Sequence, residues 1–280
     1  MQVWGCFISE PPREYLPRMN ITLTGRRAFV CGSTQGIGKA CAVELARLGA
    51  SVTLAARNAD SLKAALGELP TPDGRSQSHD SITVDFADPH AVKTAVAPLA
   101  ARGYDILINN TGGPPGGRAI DADPDQFIGA FTMHVGSAQV LCKLLVPGMQ
   151  ERRWGRVVNI ISTSVKAPIA NLGVSNTVRA AMANWAKTLA GELGPFGITV
   201  NNILPGYTDT ERLRSLMAGR AKASGRTEQA VRDEWLASIP AGRFGTAEEI
   251  ANVAAFLCTP AAAYVNGINV PVDGGRTPSL

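Results

Sequence analysis

Arg27-Ala28-Phe29-Val30-Cys31-Gly32-Ser33-Thr34-Gln35-Gly36-Ile37-Gly38 is the stretch that decides the fold. Its apolar run Ala28-Phe29-Val30 has the length of a buried strand, and the glycines that follow break it into a tight turn. Beyond the turn, Ala40, Val43, Leu45 and Leu48 recur at helical spacing, so strand, turn and helix open a βαβ unit. Outward from there, apolar runs at 51–56, 81–85, 105–109, 156–161, 199–204 and 268–272 predict six more strands. Helical periodicity fills the intervals at 61–69, 91–101, 126–152, 176–193 and 247–257. The alternation predicts a single α/β domain over 19–280, a Rossmann-type doubly wound parallel sheet of about seven strands.

Three stretches stand apart from this rhythm. Residues 1–18 carry Glu10, Pro11, Pro12, Arg13, Glu14 and Pro17 and lack the apolar core of a signal peptide, so they read as a flexible extension or as a start placed ahead of Met19. Residues 111–124, rich in glycine and proline, form a loop at the carboxyl end of a strand, where open α/β sheets bind ligands. Residues 211–237 are polar with alternating charge and read as a helical insertion, either a lid over the site or a solvated helix pair.

Composition narrows the function classes. Apolar residues at 45% and charged residues at 18% describe a folded globular chain rather than a disordered one. The net charge of +4 comes from scattered Lys and Arg, without the basic stripe that nucleic-acid binding uses. Cys6, Cys31, Cys41, Cys142 and Cys258 are odd in number and form no metal-ligand spacing; they read as reduced thiols of a cytoplasmic protein, with no metal site. No uninterrupted apolar run approaches the roughly 20 residues of a membrane helix.

Gly32, Ser33, Thr34, Gln35, Gly36, Ile37 and Gly38 between strand and helix let backbone N–H groups approach a pyrophosphate at the positive end of the helix. The next strand ends Ala55-Ala56-Arg57 and offers no acid for the two ribose hydroxyls of NAD. Arg57 can instead pair with a 2′-phosphate, which favours NADP(H).

Taken together with Asp85, Asn109-Asn110-Thr111-Gly112, Gly155-Arg156-Val157-Val158-Asn159-Ile160-Ile161-Ser162, Pro205-Gly206 with Thr210, and Val272-Asp273-Gly274-Gly275, this turn makes the chain resemble a short-chain dehydrogenase/reductase. The pattern is similar to the 3-oxoacyl-carrier-protein reductase branch and runs from Leu23 to Gly275. The resemblance implies that Asp85 and Phe86 flank the adenine, that Asn110 and Gly112 lie along the cofactor, and that Pro205, Gly206, Thr208 and Thr210 lie by the nicotinamide end. It also implies a small-molecule substrate and a homotetramer or homodimer built on the long helices from Gln126 and Asn176.

The same resemblance exposes a departure. In the family a Ser polarises the carbonyl, a Tyr exchanges the proton, a Lys lowers the Tyr pKa and holds the ribose, and an Asn completes a relay. Ser162 is retained, but Ser175 stands at the Tyr position, Arg179 at the Lys position and His134 at the Asn position. A serine hydroxyl is far less acidic than a phenol of pKa about 10, and an arginine of pKa roughly 12.5 to 13.8 binds anions but relays no proton. His134, Tyr207 and Lys166 are the alternative proton sources, although His134 reads more readily as a hydrogen-bonded interior histidine and Lys166 as a surface lysine. Two functions follow: an atypical NADP(H)-dependent oxidoreductase acting on a carbonyl or alcohol, with Arg179 as a cofactor clamp, or a catalytically silent NADP-binding subunit or sensor.

Overall fold

The computed structural model describes residues 19–72 and 76–279; the extension expected over residues 1–18 lies outside them. Seven strands run in parallel in the order β3-β2-β1-β4-β5-β6-β7: β1 Arg27–Cys31, β2 Ser51–Ala56, β3 Asp80–Thr83, β4 Ile106–Asn109, β5 Gly155–Ile160, β6 Ile198–Pro205 and β7 Asn269–Val272. Because the order reverses between β1 and β4, a crevice opens at the carboxyl ends of these two strands.

Strands buried on both faces must be apolar on both, and β1 shows how the sequence meets that demand. Ala28 and Val30 join a core with α1 Gly36–Arg47 and α9 Ala247–Cys258 on one face of the sheet. Phe29 and Cys31 join the opposite core, which α3 Pro89–Val96, α5 Ser137–Glu151 and α6 Gly173–Leu193 complete. The pleat therefore splits one apolar run between two layers of helices.

A polar row crosses this apolar sheet. Asn109, Asn159, Asn202 and Asn269 sit in register on β4 to β7, and each side-chain amide donates to the next amide oxygen at 2.8 Å. Burying an amide without a partner would cost about 1–3 kcal/mol, and the chain of bonds avoids that cost while fixing register. Pro271 falls on β7, the edge strand, where a missing N–H does least harm.

Helix ends depart from expectation where local chemistry dictates. The helix foreseen over 91–101 starts earlier, at Pro89, because Asp88 caps the N–H groups of His90 and Ala91; it tightens into a 3₁₀ turn at Ala97–Arg102, where Pro98 has no N–H to give. The helix foreseen over 126–152 is α4 Pro124–Phe131, a π-helical turn Thr132–Gly136 and α5 in one continuous rod. By length and composition alone that rod could cross a membrane, but Leu141, Cys142, Leu145 and Met149 bury its inner face against the sheet. The polar stretch 211–237 is a helix pair, α7 Glu211–Ser224 and α8 Glu228–Ala237, which packs Leu213, Met217 and Val231 against Ile239 and Phe244.

Candidate active site

One cleft runs along the carboxyl ends of the strands, from Arg57 at one end through the Gly32–Gly36 turn to Ser162, Ser175 and Arg212 at the other. Its first part is the turn after β1. Gly32 and Gly36 adopt φ of +56° and +54°, the left-handed region that glycine enters without strain. Gly38 is required by contact instead: a Cβ there would lie 2.2 Å from the Gly32 carbonyl oxygen and 2.5 Å from Asn110 Nδ2. That closeness lets α1 begin directly against the strand, with no side-chain cap from Gln35 and no acidic residue in its first turn. An uncapped helix start opening into a cleft suits an anion such as a pyrophosphate.

Most residues expected to hold the dinucleotide line this cleft: Gly32, Thr34, Gln35, Gly36, Ile37, Arg57, Asp85, Phe86, Asn110, Gly112, Pro205, Gly206, Thr208 and Thr210. The Ser33 hydroxyl is fully buried and accepts from the Ala55 N–H at 2.9 Å, so its side chain ties the turn to β2 and only its backbone N–H is left for a ligand. Gly38 likewise acts through packing, and Asn110 donates to the carbonyls of Cys31 and Gly32 at 3.3 and 3.2 Å, fastening β4 to the turn.

The wall that carries the expected catalytic residues is built by β5 and α6. Ser162 follows β5, and its hydroxyl accepts from the Ser164 N–H at 3.1 Å, capping the 3₁₀ turn Thr163–Val165. Ser175 lies in the first turn of α6 and lines the cleft, half-buried. Arg179, one turn further, is buried at 8% exposure and donates through Nη1 to the Ile160 carbonyl at 3.1 Å. Burial, then the neighbouring Arg212, lowers its pKa to about 10, which leaves it a cation at neutral pH.

His134 lies behind this wall. It occupies the π-helical turn, 4% exposed, and lines a small enclosed cavity shared with Thr111, Asn109 and Arg179. Its Nδ1 is 2.5 Å from Thr111 Oγ1, while Nε2 is buried with no protein partner among the described residues. Burial and then the Arg179 charge push its pKa down to about 2. This is the environment of a hydrogen-bonded interior histidine, because a desolvated ring beside a cation stays neutral.

Tyr207 lines the cleft, stacked on Trp235 at a centroid distance of 4.6 Å. Its hydroxyl meets Arg276 Nη2 at 3.3 Å, and burial raises its pKa, partly offset by that guanidinium. Lys166 sits just after the 3₁₀ turn and is not among the residues lining the cleft. Cys31, Cys41, Cys142 and Cys258 are buried free thiols whose pKa values burial drives upward. Among the described residues no group of three or more His, Cys, Asp or Glu could hold a metal. Sequence reasoning missed Thr111 as the partner of His134, and it set the 211–237 insertion over the site without singling out the reach of Arg212 to Pro114. Neither pairing has a local signal, because each joins segments far apart in the chain.

Comparison with known proteins agrees with this architecture. The family model described as enoyl-(acyl carrier protein) reductase matches residues 32–277. The 3-oxoacyl-(acyl-carrier-protein) reductase of Pseudomonas aeruginosa is 34% identical over 266 residues, covering 91% of this chain and 98% of that protein. Among solved structures, YwfH, described as an NADPH-dependent reductase involved in bacilysin biosynthesis, superposes with a TM-score of 0.85 at 29% identity, covering 91% of this chain and 99% of that one. The L-sorbose reductase of Gluconobacter frateurii, solved with NADPH and L-sorbose, gives a TM-score of 0.85 at 30% identity over 94% of this chain and 100% of its own. With the matched region spanning both the glycine turn and the Ser162 wall, the chain belongs to the short-chain dehydrogenase/reductase family.

Proposed function

We propose that the protein is an NADP(H)-dependent oxidoreductase acting on a carbonyl or alcohol, with a non-standard proton-transfer apparatus. The observation that carries this reading is continuity: the uncapped start of α1, Arg57 and the Ser162–Ser175 wall all line one cleft. When bound, NADPH supplies a hydride. Arg57 recognises the 2′-phosphate, and the Gly32–Gly36 turn with the start of α1 holds the pyrophosphate.

Ser162 donates its hydroxyl proton to a hydrogen bond on the substrate oxygen, stabilising the charge that develops there. Arg179 supplies fixed positive charge from behind Ser175 and orients the ribose, but it carries no proton to the reaction. Of the alternative proton sources, Tyr207 is the better supported. It lines the cleft with a guanidinium on its hydroxyl, whereas His134 is neutral and enclosed. The absence of the usual phenol should leave turnover about 10²–10⁴ slower than with a positioned acid.

A homodimer or homotetramer through the long helical rod fits the exposure of Ile128 and Phe131 along its start and of Ile120 just before it, and the buried free thiols fit a cytoplasmic setting. The deciding experiment is fluorescence titration with NADPH followed by turnover on a panel of ketones and alcohols. Binding with measurable oxidation of NADPH is expected. Tight binding with no turnover on any substrate would favour the silent NADP-binding reading.

A further inference from the structure

Two guanidinium groups face the substrate end of the cleft without an acid to balance them. Arg212, on the first turn of α7, reaches across to the 111–124 loop and donates through Nη2 to the Pro114 carbonyl at 2.6 Å. Gly113 leaves room for it: a Cβ there would lie 3.1 Å from the same nitrogen. Arg179 approaches from the opposite wall, closely enough that Arg212 is the second cause of its lowered pKa. Neither forms an ion pair with a carboxylate among the described residues.

The contrast with Arg214 sharpens this. Two residues along the same helix, Arg214 holds both Asp209 at 3.1 Å and Glu211 at 3.3 Å. The carboxylates nearest in sequence, Asp209 and Glu211, also line the cleft but are committed to Arg214, so Arg212 is left with a backbone carbonyl. Arg212 is an exposed residue, yet partial desolvation still holds its guanidinium below the ordinary arginine value. Two like charges converging on a partly dry cleft, with most of a five-donor fork unused on Arg212, are repulsive when empty and complementary to an anionic oxygen group.

We propose that the substrate carries an anionic group, a carboxylate or a phosphate, and that Arg212 binds it with Arg179 as the supporting charge. The proposal rests on the oxidoreductase reading for the word substrate, but the anion site itself does not depend on turnover. Hydrogen bonding to a charged partner contributes enough that losing the guanidinium should weaken binding about 10- to 100-fold.

The test uses the NADPH-loaded protein and two matched pairs: acetoacetate against ethyl acetoacetate, and dihydroxyacetone phosphate against dihydroxyacetone. Dissociation constants by calorimetry and kcat/KM by NADPH oxidation are measured for the wild type, Arg212→Gln and Arg214→Gln. At least one anion is expected to bind tenfold or more tightly than its neutral partner, and which pair responds distinguishes carboxylate from phosphate. Arg212→Gln should erase that preference, while Arg214→Gln and the affinity for NADPH alone should change by less than about twofold. Equal binding of anionic and neutral partners, or no binding of either anion, overturns the proposal. A tenfold loss of NADPH affinity in Arg212→Gln also overturns it, because the arginine would then serve the cofactor phosphates. Selective anion binding without turnover would uphold the anion site and sink the oxidoreductase reading; turnover without anion selectivity would do the reverse.

Discussion

The two ends of the cleft solve opposite problems. At the cofactor end the work is done by backbone: Gly32 and Gly36 turn the chain, Gly38 admits close contact, and Asn110 locks β4 to the turn. At the substrate end it is done by side chains, and there Ser175, Arg179 and His134 depart from the family pattern. A backbone device tolerates almost no substitution, because a Cβ at Gly32 or Gly38 collides with main-chain atoms and Gly36 sits at a left-handed φ. A side-chain device can be altered while the wall that carries it, β5 and α6, stays intact. That difference explains how a whole dinucleotide cradle coexists with an unusual catalytic wall.

The largest effect should come from restoring what the substrate end lacks. Ser175→Tyr combined with Arg179→Lys places a phenol in the cleft with an amine one turn away. On a carbonyl the wild type reduces slowly, kcat is expected to rise by about 10²–10⁴, measured by NADPH oxidation at saturating cofactor. No gain in a variant that still binds NADPH would show that another group already supplies the proton.

A smaller effect tests the cofactor end. Gly38→Ala puts a methyl 2.2 Å from the Gly32 carbonyl, so either the turn or the start of α1 must move. NADPH affinity should fall about 10- to 100-fold, with circular dichroism confirming that the fold survives. Unchanged affinity would mean that the turn does not hold the dinucleotide.

The smallest concerns His134 and pH. Its folded pKa of about 2 lies below the unfolded value near 6.5, so below pH 6.5 the unfolded chain binds a proton that the folded one refuses. Stability from this residue is fully present above pH 6.5 and is lost progressively as pH falls toward 2, about 2 kcal/mol of it by pH 5. His134→Asn should remove that share of the slope in urea unfolding at pH 5 and pH 7. An identical slope in both proteins would mean that the imidazole takes up a proton in the fold.

Much of the site was legible because its signals are local. The glycine spacing at Gly32–Gly38, the missing acid beside Arg57 and the register from Ser162 to Ser175 to Arg179 need only a few residues each. The role of the Ser33 side chain was not legible, because its hydroxyl finds the buried backbone N–H of Ala55 on β2, the next strand along the chain. The state of His134 was not legible either, since burial and the charge of Arg179 arise only when the π-helical turn and α6 pack together.

The sequence by itself determined the alternation of strands and helices, the glycine turn after β1 and the replacement of Tyr and Lys by Ser175 and Arg179, since apolar periodicity and residue type are properties of neighbours along the chain. The tertiary structure alone decided that the four asparagines form one bonded row, that the ring of His134 is buried beside the charge of Arg179, and that Arg212 crosses the cleft to Pro114 while Arg214 takes the carboxylates. Solvation and electrostatics belong to whatever surrounds a group in space, and folding draws those surroundings from distant parts of the chain.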